Sequence, residues 1–363
     1  MPPIQQHLLS LVRAALSGSA PTLPQLTPSD WDALRRLAWR EGVAAIALDA
    51  LNARAATARP SQAQLLQWIA NVAAMERAYA LHQQCLTQLA AFYSSHGIRT
   101  LLLKGYGCSL SWPQPNHRPT GDADIYLFGR QDEADALAER ELGVRVHREY
   151  HKHSTFGFRG VEVENHAKFI DDVTHRSNIR FERTLMSLLR EDECEASPIA
   201  GIVLPPPTFN ALFLLRHTGE HFASNEITLR HIIDVGTFFL RHHTSVDWAT
   251  FTRVLREERM EAFFCGLATV CTTFFGMDAA AFAVPGAAFV PDEALARRIL
   301  ADIFCEKERL PMSVEGIRTV GQKLRYATGK TRRWWRNRWK YRLVYDESLL
   351  RSFLWLARNR ISG

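Results

Sequence analysis

The sequence KGYGCSLSWPQPNHRPTGDADIYLF, residues 104–128, contains the features from which the fold of this chain can be predicted. It follows the apolar run 98–103 and ends in the apolar run 125–128. Short apolar runs bounded by turn residues predict buried strands. Between the two runs lie a lysine followed by two glycines, a loop with three prolines and the aspartates Asp122 and Asp124. The stretch therefore predicts two strands, with two carboxylates where the second strand begins.

The two aspartates stand two residues apart, and side chains at that spacing share one face of a strand. Asp122 and Asp124 would then point one way, while Ala123 and Ile125 point into the core. Two carboxylates on one face repel each other unless a cation lies between them, and Mg²⁺ prefers such oxygen ligands. With a third carboxylate, the pair predicts a two-metal site that activates an attacking oxygen beside a phosphoryl group.

A later stretch, VEVENH at residues 161–166, offers the third carboxylate. Arg159-Gly160 joins it to the run 155–158, and a two-residue connection of this kind predicts a β-hairpin. Glu162 and Glu164 share one face of the second hairpin strand. The residues alone leave open which of the two glutamates completes the site.

Two glycines follow the first predicted strand in LLLKGYG, residues 101–107. Gly105 and Gly107 lie at a helix start, where backbone N–H groups can approach phosphate oxygens. A G-x-G pair or a D-x-D pair is common by itself. Their order between two strands indicates a site for a phosphorylated substrate.

This order of features resembles the polymerase-β-like nucleotidyltransferase superfamily: an apolar strand, KG, a short helix, a loop with Pro and Arg, GDADIYL, and a later acidic strand. It looks most like a branch of poorly characterised bacterial nucleotidyltransferases that pair this core with flanking helices. The stretches LFLLRHTGEHF, LRHIIDVGTFF and VDWATF are similar to the helical half of that branch. The resemblance covers roughly residues 30–260 and is strongest at 98–128.

The resemblance implies an α+β fold, in which a small mixed β-sheet nucleotidyltransferase core is flanked by N-terminal and C-terminal helical regions. It implies an Mg²⁺-dependent transferase that binds a nucleoside triphosphate, with ATP as one candidate. The enzyme would move the nucleoside monophosphate to an acceptor hydroxyl and release pyrophosphate. The acceptor, which the sequence leaves open, would be a small molecule, a peptide or protein, or RNA.

The resemblance also implies a role for each matching residue. Asp122, Asp124 and Glu164 would be catalytic and would bind the metal ions. The residues implied to bind the nucleotide are Lys104, Gly105, Gly107, Ser109 and Arg118. Further side chains expected in the cleft are Glu162, His166, His217, Arg230 and Asp234.

Four regions are expected along the 363 residues: an N-terminal helical region at 1–95, the nucleotidyltransferase core at 96–204, a C-terminal helical region at 205–322 and a basic, aromatic-rich helical tail at 323–363. Six scattered cysteines without a C-x-x-C pair indicate reduced thiols and disfavour a disulfide framework. No apolar run is long enough to cross a bilayer, and the first twenty residues lack the pattern of a signal peptide. These features predict a cytoplasmic protein.

The positive charge of the chain is concentrated in its tail. The formal net charge is +6, and residues 323–342 carry nine Lys and Arg and no acid, which leaves about −3 for everything else (6 minus 9). The stretch KTRRWWRNRWKYR is typical of a segment that binds RNA through phosphates and stacked bases, or anionic lipid. It is equally typical of a helix that packs its aromatic side chains on the core and leaves its arginines in water.

Three further interpretations stay open. His217 to His221 spells H-x-x-E-H, the inverted zinc-peptidase order, which would make the chain a zinc metallopeptidase. The nucleotidyltransferase fold could also be catalytically silent and serve as a binding or scaffold protein. Arg230 and Asp234 stand at i,i+4 spacing, so they form either a pair that supports their own helix or part of the cleft.

Overall fold

The computed structural model of this protein describes residues 1–52, 58–148, 151–173, 175–224, 226–305, 321, 328–329, 331–332, 335–347, 350–352 and 355. It begins with four helices, α1 Pro3–Ser17, α2 Pro28–Arg40, α3 Ala44–Asn52 and α4 Gln62–Ser95. Capping boxes start two of them: Thr27 with Asp30 at α2 and Ser61 with Gln64 at α4.

A six-stranded sheet follows. Its strands are β1 Thr100–Leu102, β2 Ala123–Tyr126, β3 His153–Phe158, β4 Val161–His166, β5 Glu195–Ala196 and β6 Ile202–Leu204. The strand order is β3-β4-β2-β1-β6-β5. β2 runs parallel to β4 and β1 parallel to β6, while the other neighbours are antiparallel. The prediction of an α+β fold with a small mixed sheet is confirmed.

The hairpin formed by β3 and β4 turns at Arg159 and Gly160, with φ values of 49° and 80°. This two-residue turn is the one that the sequence predicts. Both strands are longer than predicted at the end away from the turn, so His153 pairs with His166. The extension brings two histidines into the sheet beside the predicted glutamates.

The remaining helices pack around this sheet. They are α5 Tyr106–Ser109, α6 Gln131–Leu137, α7 Arg176–Leu188, α8 Pro207–Ser224, α9 Leu229–His242, α10 Trp248–Glu257, α11 Glu261–Thr269, α12 Glu293–Phe304 and α13 Arg338–Val344. On one face of the sheet, Ala123 and Ile125 pack in a buried apolar cluster with residues of α4 and α6. On the other face, Leu101 and Tyr126 join a larger cluster with the C-terminal helices.

The N-terminal helices also contact the C-terminal ones directly. The Arg13 guanidinium donates to the carbonyl oxygen of Thr273 at 2.8 Å. The backbone N–H of Arg230 donates to the carbonyl oxygen of Glu41 at 3.1 Å. Apolar residues of both regions belong to the same buried cluster. The four-region division remains a prediction.

Part of the basic tail lies among the described residues. Trp339 packs against Phe222 with ring centroids 5.4 Å apart, and the Arg298 guanidinium lies 3.9 Å from the centre of the Trp339 ring. Trp335 is 60% exposed. Trp334 and four of the nine basic residues lie outside the described residues. In the described part of the tail, Trp339 therefore packs on the core, as expected for a helix that buries its aromatic side chains and leaves its arginines in water.

No helix among the described residues is both long and apolar enough to span a membrane.

Candidate active site

The parallel pairing of β2 and β4 places Asp124 directly opposite Glu164. Both side chains project from the sheet face that carries Glu162, whereas Ala123 and Ile125 are buried in the core on the other face. Asp124 is buried, Glu164 is half-buried, and Asp122 and Glu162 are exposed at the edge of the site. The fold thus brings all four predicted carboxylates to one end of one sheet face.

Lys104, which follows β1, lies against these carboxylates. Its ammonium nitrogen is 2.8 Å from Asp124 Oδ1 and 4.0 Å from Glu164 Oε2. Burial acts to raise the pKa of Asp124, but Lys104 and His166 outweigh burial and hold it below its ordinary value. Lys104 therefore binds a carboxylate here, while the sequence implies that it neutralises phosphate.

Two histidines complete the cluster. His166 Nε2 lies 3.2 Å from Asp124 Oδ1 and 3.4 Å from Glu164 Oε2, and the side chain is fully buried. His153 Nε2 lies 3.7 Å from Glu164 Oε1. On its other side, His166 Nδ1 is 3.0 Å from the carbonyl oxygen of Lys168. The site consequently combines carboxylates with imidazoles and one ammonium group.

The carboxylates influence one another through their negative charges. Partial burial raises the pKa of the Asp122 carboxyl, and the negative charges of Glu164 and Asp124 raise it further. Like charges held this close favour a positive partner. The chemistry of Asp122, Asp124 and Glu164 suits a divalent cation, but in this conformation they are not among the groups of three described side chains that are spaced to share one ion.

The glycine turn supports this end of the sheet. Gly105 has φ 62° and ψ −111°, a backbone conformation that residues other than glycine rarely adopt. A Cβ atom built on Gly105 would lie 3.2 Å from the carbonyl oxygen of Asp122, so the turn approaches the second strand closely. Gly107 lies in α5, where an added Cβ would meet Leu204 at an ordinary 3.5 Å.

Ser109 does not face the carboxylates. Its hydroxyl is fully buried, donates to the carbonyl oxygen of Tyr106 at 2.6 Å and lies 2.9 Å from the Tyr79 hydroxyl. This arrangement leaves its hydroxyl no path to a phosphate group in the present conformation.

Arg118 also has a partner inside the protein. Its Nε and Nη2 atoms donate to the two carboxylate oxygens of Asp234 at 2.8 and 2.9 Å, and the Trp112 indole N–H donates to Oδ1 at 2.8 Å. All three residues are more than nine-tenths buried. Arg118, and not Arg230, binds Asp234, so the pair predicted at i,i+4 spacing is replaced by a contact between distant parts of the chain.

Helices α8 and α9 carry a histidine wall of His217, His221 and His231, whose successive ring centroids lie 4.6 and 5.8 Å apart. Burial lowers the pKa of His217 well below its ordinary value, that of His221 to about 4 and that of His231 to about 3. The positive charges of Lys104 and Lys152 contribute to the lowered pKa of both His217 and His221. At neutral pH these three histidines are uncharged.

The H-x-x-E-H stretch in this wall does not assemble a zinc-ligand set. Glu220 accepts a hydrogen bond from the Asn178 side chain at 2.6 Å, and Gly219 packs tightly against Val344. Among the described residues, the groups of three side chains spaced to share one ion are His153 with Glu164 and His166, and His151 with Asp171 and Asp172. The geometry gives the zinc-peptidase hypothesis no support.

Sequence reasoning missed His153 and His82. His153 belongs to the alternating pattern of β3, so a hairpin extended by two residues would have placed it beside His166. His82 Nε2 lies 3.3 Å from the carbonyl oxygen of Asp122, to which it donates, and its Nδ1 is buried without a hydrogen-bond partner. His82 lies in the middle of a long helix, and no local pattern distinguishes it from a core residue.

A family model described as uncharacterised nucleotidyltransferase matches residues 27–276. Comparison with curated proteins finds no match. Among solved structures, the chain is similar to an antigenic nucleotidyltransferase-like protein from Paracoccidioides brasiliensis, with 13% identity and a TM-score of 0.33 over 53% of this chain and 96% of that one. Because the family match spans more than half of the chain, this protein belongs to the uncharacterised nucleotidyltransferase family.

Proposed function

We propose that this protein is a divalent-metal-dependent nucleotidyltransferase that moves a nucleoside monophosphate from a triphosphate to an acceptor hydroxyl. One observation supports the proposal above all: β2 and β4 place Asp124 beside Glu164, with Asp122 at the open edge. Family membership supports the same class of reaction. The metal ion proposed is Mg²⁺, as the carboxylate ligands favour.

Asp122, Asp124 and Glu164 would hold the metal, which when bound neutralises charge on the triphosphate and polarises the attacking oxygen. The acceptor oxygen forms a bond to the α-phosphorus, and the bond from that phosphorus to the bridging oxygen of the β-phosphate breaks, so pyrophosphate leaves. We assign acceptance of the hydroxyl proton to the Glu164 carboxylate. The backbone N–H groups after Gly105 would orient the triphosphate, and Lys104 would hold Asp124 in place.

Lys104 also provides the observation that favours a second candidate function. Its ammonium already compensates Asp124 at 2.8 Å, which is the position where a catalytic cation would act. A chain in which this ion pair persists would bind nucleotide without turnover. The second candidate is therefore a silent nucleotidyltransferase-fold protein that serves as a binding or scaffold protein.

The two candidates differ in one measurable product. The protein is incubated with Mg²⁺ and each α-³²P-labelled nucleoside triphosphate, together with a cell extract separated into small molecules, proteins and RNA. We expect label in one fraction with release of pyrophosphate, and Asp122→Asn should lose both while keeping its fold. Asp122 is suitable because it is exposed, so its replacement by asparagine should leave the fold intact.

The labelled fraction identifies the class of acceptor. Nucleotide binding by the wild type without label transfer or pyrophosphate release in any fraction would refute the transferase and support the silent fold. Unchanged transfer by Asp122→Asn would refute the site.

A further inference from the structure

The end of β4 holds two imidazoles against one carboxylate, a donor set that differs from the oxygen ligands of a magnesium site. We infer that His153, Glu164 and His166 bind a first-row transition-metal ion, for which Zn²⁺ is the probe. The inference deepens the proposed function, on which it rests for the location of the ion beside the reacting groups. Asp122 and Asp124 remain the carboxylate pair of that function, and Glu164 would belong to both sites.

The hydrogen bond of His166 determines which ring nitrogen is available. Nδ1 is 3.0 Å from the carbonyl oxygen of Lys168, and a carbonyl oxygen can only accept, so Nδ1 carries a proton. In a neutral imidazole, Nε2 then has a lone pair, and it faces Asp124 Oδ1 at 3.2 Å and Glu164 Oε2 at 3.4 Å. The Lys104 ammonium already lies 2.8 Å from Asp124 Oδ1, so His166 Nε2 and the Glu164 carboxylate are the groups available to an added ion.

The same hydrogen bond is typical of a metal-binding histidine. Such histidines donate their second ring N–H to a carboxylate or a backbone carbonyl, which holds the ring and its tautomer. The side chain of His166 is fully buried, so its ring is held in this orientation. The ligand atoms of His153, Glu164 and His166 lie within 4.8 Å of one another, which one ion with bonds of roughly 2.0–2.2 Å can bridge after small side-chain rotations.

The charges around the cluster leave room for a divalent ion. Asp124 and Glu164 carry two negative charges and Lys104 one positive charge, so these three groups leave one negative charge. Asp122 and Glu162 add two more at the exposed edge. Imidazole ligands favour Zn²⁺, Fe²⁺ or Ni²⁺ over Mg²⁺, which prefers oxygen and retains its water.

The competing account is that His166 is an imidazolium that bridges Asp124 and Glu164 with no metal at all. Titration of the whole chain with metal ions distinguishes the imidazolium bridge from the metal site. After dialysis against a chelator, Zn²⁺ and Mg²⁺ are titrated separately by calorimetry without nucleotide. Co²⁺ is titrated in parallel, because nitrogen ligands give it visible absorption bands.

Three variants make this test specific. His166→Asn keeps an amide donor near the Lys168 carbonyl but removes Nε2, and His153→Asn removes the second imidazole. His147→Asn is the matched control, because His147 is exposed just before β3. We expect one Zn²⁺ per wild-type chain, at least about tenfold weaker Zn²⁺ binding in the first two variants, and no change in the control.

Equal Zn²⁺ affinity in the wild type, His153→Asn and His166→Asn would overturn the inference, and so would Zn²⁺ binding no tighter than Mg²⁺ binding. If His166→Asn fails to fold, the half-buried His153 still provides the test. Zn²⁺ binding without label transfer would refute the proposed function and leave this inference standing. Label transfer together with an unchanged Zn²⁺ affinity in both histidine variants would support the proposed function and refute this inference.

Discussion

Two clusters of charged side chains both include residues of the stretch 104–122. They differ in how completely their charges are matched. In the closed cluster, Arg118 forms two hydrogen bonds with Asp234, and the Trp112 indole forms a third. Burial acts to raise the pKa of Asp234, but Arg118 outweighs it and holds that pKa below its ordinary value. The closed cluster has equal charges and no exposed carboxylate.

The open cluster consists of Lys104, Asp122, Asp124, Glu164 and His166. Its carboxylates outnumber its ammonium group, Asp122 is exposed, and an imidazole nitrogen faces two carboxylates. A charged residue in a motif therefore serves the fold when its partners match its charge and its hydrogen bonds. It is available to a ligand when negative charge is left over at an accessible edge.

The largest expected effect belongs to the closed cluster. Asp234→Asn leaves the Arg118 charge buried without a carboxylate, which costs about 3–5 kcal/mol in the free energy of unfolding. The variant keeps an oxygen that the Trp112 indole can reach, so the loss reports on the ion pair. Urea denaturation followed by circular dichroism measures it.

The exposed pair between Arg253 and Glu257, whose atoms are 3.0 Å apart, provides the control. Glu257→Gln should change the free energy of unfolding by less than about 0.5 kcal/mol, because solvent screens exposed pairs. If Asp234→Asn is as stable as this control, the closed cluster is not structural and the comparison fails.

The next effect belongs to the open cluster and appears in turnover. Glu164→Gln should slow label transfer by at least about 100-fold, or about 2.7 kcal/mol, because a charged group at the reacting centre is lost. Glu162→Gln on the same strand face should slow it by less than about threefold, since solvent screens an exposed charge. Single-turnover rates with saturating nucleotide compare the two.

Both variants should unfold at nearly the same urea concentration as the wild type. A larger loss of turnover in Glu162→Gln than in Glu164→Gln would assign the third carboxylate to Glu162. A loss of stability in Glu164→Gln as large as that of Asp234→Asn would make the open cluster structural too.

The smallest effect concerns the histidine wall, where the charge of Lys104 from the open cluster acts on His217 and His221. Burial, together with Lys104, lowers the pKa of His221 to about 4, whereas an unfolded chain has a histidine pKa near 6.5. Below pH 6.5 the unfolded state binds a proton that the folded state does not, so His221 removes up to about 1.4 kcal/mol of stability per pH unit until pH 4. His221→Gln should reduce the slope of unfolding free energy against pH by that amount.

Urea denaturation at several values between pH 6.5 and 5 measures this slope, and the exposed His147→Gln is the control that should leave it unchanged. The same slope in the wild type and in His221→Gln would show that His221 is charged or exposed in the folded protein. That result would separate the wall from the open cluster.

Much of the fold could be predicted because it depends on local patterns. The apolar periodicity and Gly97 predict the long helix α4, and Arg159-Gly160 predicts the hairpin turn. Strands β5 and β6, with two and three residues, are too short to show a period. The nucleotidyltransferase family, predicted from the order of motifs, is confirmed.

The candidate site could be predicted only where its residues are neighbours in a strand. Asp122 and Asp124 share a face because side chains alternate, and the structure brings Glu164 to them. The partner of Arg118 lies 116 residues away, and that of Ser109 lies on a helix 30 residues before it. No local pattern encodes contacts at such separations, so the roles implied for these two side chains could not be checked against the sequence.

The sequence by itself determined the types of charged groups and their alternation along each strand, because these follow from spacing along the backbone, and the resemblance of its motifs indicated the family that the family model shows. Only the tertiary structure decided which charges are matched, since Arg118 meets Asp234 and Lys104 meets Asp124 through packing of distant elements. Electrostatic energy depends on distance and burial in space, and neither quantity is given by the order of residues.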